Sequence, residues 1–122
     1  GENDTLIVQK LAANPDAYGF FGYSYYLANK DKIKAAAING VKPSLEGIQD
    51  YSYPIARPLF FYAKKAHVGV VPGLKEFLDA FTSKKAMGSR GYLTDIGLVP
   101  LASDKYKVTR TAAKDLVTIN LK

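Results

Sequence analysis

Pro54 and Pro58 stand four residues apart in the stretch Tyr53-Pro54-Ile55-Ala56-Arg57-Pro58, and no helix or paired strand can run through that stretch undisturbed. Each proline fixes its own φ, withholds an N–H, and drives the residue before it toward extended backbone. The segment is therefore expected to be an extended connector. It also divides the chain by charge. Residues 1–61 carry six basic and six acidic side chains, whereas residues 62–122 carry eleven basic and five acidic, so the whole net charge of +6 lies beyond the connector.

On either side of the connector, short apolar runs alternate with helical patterns. Asn3 or Asp4 can cap a first helix with Leu6, Ile7 and Leu11 on its apolar face, and Asn14-Pro15-Asp16 ends it. Tyr18 to Tyr23 reads as a short buried strand whose glycines allow close approach, followed by a helix over about Ser24–Asp31. Ala35 to Ile38 reads as a short strand closed by the turn Asn39-Gly40, and Pro43-Ser44 opens a helical segment through Ile48. Leu59-Phe60-Phe61-Tyr62-Ala63 is a continuous apolar run, the pattern of a strand covered on both faces.

The strongest periodicity is Leu74, Phe77, Leu78 and Phe81, at i, i+3, i+4 and i+7 of one helix. Glycines at 88, 91 and 97 break the region after it into helices near Ser83–Met87 and Tyr92–Ile96, then an extended Leu98–Leu101. Ser103 can cap a last helix with Tyr106, Thr109, Ala113 and Leu116 on one face, and Val117 to Lys122 is a strand or a loose end. Strand and helix alternate throughout, so the expected class is α/β, with short mixed sheets flanked by helices.

Composition narrows the chemistry. With 122 residues, 48% of them hydrophobic, the chain is long enough for a core. It has no cysteine, which removes disulfides, thiolate metal sites and cysteine nucleophiles. No apolar run reaches the roughly 20 residues a bilayer span needs. The chain also begins without a charged-then-apolar leader, so an exported protein would carry its signal upstream or have lost it.

His67 is the only histidine and follows Lys64-Lys65-Ala66, the place of an exposed turn residue. No cluster of metal ligands, nucleophile elbow, phosphate loop or dinucleotide fingerprint is present, so no catalytic residue, metal or cofactor is assigned. Gly88-Ser89-Arg90-Gly91 can cradle an anion but is better read as a helix break. The aromatics from Tyr18 to Tyr26 have no basic residue interleaved, which favours a core role over stacking on nucleic acid.

Three stretches in register carry a resemblance, the first of them running from Gly1 through a helix to Tyr26. They are Gly1-Glu2-Asn3-Asp4 with Gly19-Phe20-Phe21-Gly22-Tyr23-Ser24-Tyr25-Tyr26, then Tyr53 to Phe60, and Gly97-Leu98-Val99-Pro100-Leu101. In this order the chain resembles the C-terminal part of phosphate-binding proteins of the phosphate ABC transporter, which are periplasmic solute-binding proteins of two lobes. The resemblance implies a non-enzymatic fragment of such a receptor, with inorganic phosphate and an ABC transporter permease as partners of the intact protein. It implies that residues 1–53 end the second lobe, 54–58 form an inter-lobe hinge strand, and 59–122 return to the first lobe. Tyr53, Pro54, Arg57 and Pro58 would then be hinge residues.

The family's phosphate ligands lie in early loops and in an arginine-to-Ser-Gly-Thr stretch that this chain lacks, so no phosphate-binding residue is assigned here. Open sheet edges would be paired by the missing N-terminal part or by a second copy. The alternative reading is a basic module that binds nucleic acid or another polyanion through Lys64, Lys65, Lys84, Lys85, Arg90, Lys105, Lys107 and Arg110. No nucleic-acid motif supports it, and no nucleic acid is expected as a partner.

Overall fold

Asn3 starts the first helix. Its side-chain oxygen accepts a hydrogen bond from the Leu6 N–H at 3.1 Å, and α1 (Asp4–Ala13) runs from there until Asn14, whose side chain accepts from Asp16 N–H. The computed structural model describes residues 3–119. Its elements continue as α2 (Tyr23–Ala28), α3 (Leu45–Gln49), a single 3-10 turn at Lys65–His67, α4 (Leu74–Phe81), α5 (Lys84–Met87), α6 (Tyr92–Asp95) and α7 (Ser103–Lys114). Ser44 and Ser83 cap α3 and α5 by accepting from the Gly47 and Ala86 N–H groups.

The expected mixed sheets are not formed. Among the described residues there is no strand, only two isolated bridges, Ile38 with Val41 and Val68 with Val71. The reasons are local. Tyr18 to Gly22 has no partner to pair with and stays irregular, with Tyr18 92% and Phe20 79% exposed, so the buried-strand and core readings of this run both fail. Its Gly19 does serve close approach, because a Cβ there would press on Leu11 and Ile7 of α1 at 2.9 and 3.0 Å.

At Asn39-Gly40 both residues take positive φ, 51° and 80°, and Ile38 and Val41 exchange two hydrogen bonds across them. That is the tight turn of a hairpin without the strands that would extend it. Leu59 to Ala63 is likewise irregular and exposed, Leu59 at 81% and Phe60 at 70%. An apolar run becomes a strand only when another strand takes up its backbone groups. The tail beyond Ile119 lies outside the described residues.

The described chain groups into two units. One runs to Ala56 and includes Ile96–Val99; the other comprises Arg57–Asp95 and the chain from Pro100 on. In the first, Val8 and Ile33 are buried, and in the second Leu78, Ala86, Tyr106 and Thr82 are. The second unit keeps the strongest sequence signal: Phe77 and Phe81 stack at 5.6 Å on α4, and Phe61 packs on them at 5.5 and 5.3 Å.

The last helix departs from expectation at both its start and its face. Tyr106 N–H bonds to Ala102 O at 2.8 Å, so Ala102 holds the cap position and Ser103 is already helical. Thr109 is exposed, and the inward pair is Tyr106 with Arg110.

Candidate functional site

The residues singled out as a hinge follow a tightly bonded loop. Ser44 Oγ accepts from Gly47 N–H at 2.9 Å, and Gly47 O in turn accepts from Tyr53 N–H at 2.9 Å. Between them, Ser52 N–H donates to Asp50 Oδ1 at 2.8 Å. That backbone bond, with a second from the Ser52 hydroxyl, holds the Asp50 carboxyl below its ordinary value. The Tyr53 hydroxyl donates to Ala36 O at 3.3 Å, which ties the loop back to the segment before α3. Tyr53 is thus held at three points, counting its carbonyl, which receives Ala56 N–H at 2.9 Å.

That last bond makes Tyr53–Ala56 a β-turn with Pro54 at its second position, the place where a fixed φ is favoured. The expectation of an extended connector therefore fails over Tyr53–Ala56; after Ala56 the chain is irregular and both Arg57 and Pro58 are exposed. The division between the two units falls between Ala56 and Arg57. Sequence reading missed the Asp50–Ser52 bond and the anchoring of Tyr53. The signal available was an Asp-x-Ser spacing just before a Tyr-Pro pair.

In the first unit α1 and α2 border a groove of about 470 Å³, lined among others by Thr5, Val8, Gln9, Tyr25, Asn29 and Lys32. The Asn29 amide donates to Tyr25 O at 2.9 Å, so part of the groove's polar lining is already engaged. Burial raises the Tyr23 phenol above its ordinary value, and the neighbouring Tyr26 adds to the effect. No acid–base pair lines this groove, which offers hydrogen-bonding groups and the Lys32 side chain over an apolar floor.

The remaining sequence candidates are dispersed over the second unit. Lys64 and Lys65 lie at the 3-10 turn with His67, Lys84 and Lys85 on α5, and Lys105, Lys107 and Arg110 on α7. Arg110 serves the fold: its guanidinium donates to Thr82 O at 2.7 Å, alongside the Tyr106 hydroxyl at 3.1 Å. Arg90 sits in the turn Gly88–Gly91, where Gly91 N–H is bonded to Gly88 O at 2.8 Å and is not turned outward to an anion. Among the described residues no group of His, Asp or Glu is placed to hold a metal ion, and no helix is long and apolar enough to cross a membrane.

Comparison with known proteins adds what the geometry does not. The PBP superfamily domain matches residues 3–85. The chain is 36% identical over 116 residues to Protein SphX of Synechococcus elongatus, covering 86% of this chain and 32% of that protein. It is 31% identical over 121 residues to the phosphate-binding protein PstS of Staphylococcus aureus, strain USA300, covering 95% of this chain and 36% of that protein. Against PstS of Staphylococcus saprophyticus the identity is 28% over 117 residues, 92% of this chain and 35% of the relative. The chain thus spans about a third of the length of the curated relatives it matches. No solved structure gives a significant match.

Proposed function

The chain belongs to the PBP superfamily, and we propose on that basis that it is the C-terminal part of a periplasmic receptor that captures inorganic phosphate and delivers it to an ABC transporter permease. The observation that carries this reading is the similarity to proteins named as phosphate-binding, which extends over nearly all of this chain and only a third of theirs. In the intact receptor, two lobes close on a dehydrated anion held by charge-assisted and neutral hydrogen bonds. Residues 1–53 finish one lobe, 54–58 connect, and 59–122 belong to the other. The work of this segment is scaffold and hinge; it supplies neither the main phosphate ligands nor catalysis.

Within that frame Tyr53, Pro54, Arg57 and Pro58 act as hinge residues. A turn pinned at Tyr53 gives a fixed origin, and the exposed Arg57-Pro58 that follows gives the pivot. The exposed apolar run Leu59 to Tyr62 fits a segment that is covered by the rest of a longer protein.

The test is equilibrium dialysis with labelled orthophosphate on two samples, this chain and a full-length protein that contains it. The full-length protein is expected to bind and the chain alone is not, because the ligand motifs of the family are absent here. Failure of the full-length protein to retain phosphate would overturn the reading. Salt-sensitive retention of a nucleic acid by the isolated chain would favour the polyanion module instead.

A further inference from the structure

The α1 wall of the groove of about 470 Å³ in the first unit is Thr5, Val8, Gln9, Ala12 and Ala13, at i, i+3, i+4, i+7 and i+8. These positions form one stripe of the helix, so the wall is a continuous surface and not a chance gap between side chains. The other wall is Tyr25, Asn29 and Lys32, at i, i+4 and i+7. Lys32 lies beyond the end of α2, yet its backbone is fixed there. The Lys32 and Ile33 N–H groups both donate to Asn29 O, at 3.0 and 3.1 Å, and Ile33 is buried.

The lining is chemically uneven. Val8, only 5% exposed, supplies an apolar floor, and Ala12 and Ala13 carry nothing beyond Cβ, so the floor is flat toward the end of α1. Tyr25 is 40% exposed and offers ring surface to the groove. Lys32 is the only charged residue of the lining. Asn29 already donates to Tyr25 O, whereas among the described residues no hydrogen bond or ion pair engages the Gln9 or Lys32 side chain. A flat apolar bed with one unpaired cation and one free amide selects a flat apolar body that carries one anion. The volume falls within the roughly 300–1,000 Å³ of small-molecule sites.

We infer that the groove between α1 and α2 binds a small aryl carboxylate. Its ring rests on Val8, Ala12 and Ala13 against Tyr25, its carboxylate pairs with the Lys32 ammonium, and the Gln9 amide donates a second hydrogen bond. Every contact lies within the first unit and phosphate takes no part, so the site stands apart from the receptor reading.

The test is an amide NMR titration of the 122-residue chain with four probes. Phenylacetate is expected to move the amides of Gln9, Ala12, Ala13, Asn29 and Lys32 along saturating curves. Of the other probes, 2-phenylethylammonium keeps the ring and reverses the charge, cyclohexylacetate keeps the charge without the flat ring, and orthophosphate keeps only negative charge. Each is expected to bind at least about threefold more weakly than phenylacetate. Lys32→Gln removes the cation at an exposed position and should weaken phenylacetate about fivefold. Ala12→Leu, also exposed and favourable in a helix, fills the floor and should weaken it by at least about tenfold with helix content unchanged.

Shifts that stay linear in phenylacetate, or that fall outside this lining, overturn the site. So does equal binding of any of the other three probes, or an unchanged affinity in either variant. If the chain ignores phenylacetate, the groove proposal fails and the receptor reading is untouched. If a full-length protein that contains the chain fails to retain orthophosphate, only the receptor reading falls.

Discussion

In the first unit the junction between α1 and α2 includes a bond from Gly22 N–H to the Asp4 carboxylate at 3.2 Å, made in contact with water. In the second unit the junction between α4 and α7 centres on the Thr82 carbonyl, which receives the Tyr106 hydroxyl and the Arg110 guanidinium in a largely buried place. Thr82 and Tyr106 are only 6% and 8% exposed. Both junctions use one element's end to bind a neighbouring helix, yet water competes for the first and not for the second. A bond of the second kind costs more to remove, because its orphaned partner has nowhere to turn. The difference teaches that helix pairing in this chain is secured where polar groups are withdrawn from solvent, and is loosely held where they are not.

The contrast breaks if the two units respond alike to loss of their buried apolar side chains. Leu78→Ala is expected to destabilise the second unit by about 3 kcal/mol, through lost burial plus a residual cavity. Val8→Ala, which removes two methyl groups from the first unit, is expected to cost about 1.5 kcal/mol. Urea denaturation followed by circular dichroism measures both, and equal losses would erase the distinction. The Thr82 junction gives a finer test. Tyr106→Phe and Arg110→Met should each cost about 1 kcal/mol, since either donor alone still satisfies the carbonyl. Together they leave it bare, so the double variant should exceed the sum of the singles by about 1 kcal/mol.

Helices were legible because their signals are local. The stripe Leu74, Phe77, Leu78, Phe81 needs only its own spacing, and Asn3, Ser44 and Ser83 cap with their own side chains. The strands were not legible for the opposite reason. Leu59 to Ala63 has the composition of a strand, but whether it is one depends on a partner that its own residues do not encode. Of the stripe Tyr106, Thr109, Ala113 and Leu116, Tyr106 is buried and Ala113 and Leu116 are half-buried, but Thr109 is exposed and Arg110 turns inward in its place, because a buried carbonyl recruits the charged residue.

Of the candidate site, Pro54 and Pro58 announced a break in regular structure, which is what a proline encodes. The turn that Pro54 completes, and the anchoring of Tyr53 to Gly47 and Ala36, depend on residues brought near only by folding.

Smaller effects sharpen the comparison from the solvent-exposed side. Asp4→Ala deletes an exposed bond and a first-turn carboxylate, and is expected to cost about 0.5 kcal/mol, shrinking further in high salt. Asp50 is the limiting case. Its carboxylate is fully exposed, yet the Ser52 N–H, and after it the Ser52 hydroxyl, stabilise the charged form and lower its pKa from 3.8. A group depressed on folding contributes its stability above the unfolded pKa and loses it as pH falls through the lower, folded value.

An NMR titration of the Asp50 side-chain carbon should therefore find a midpoint below 3.8. Ser52→Ala keeps the backbone donor and removes only the hydroxyl, so the midpoint should rise part of the way and stop short of the ordinary value. A complete return in Ser52→Ala would mean that the hydroxyl carried the whole effect. The backbone bond that orients the chain into Tyr53 would then contribute nothing measurable where water competes for it.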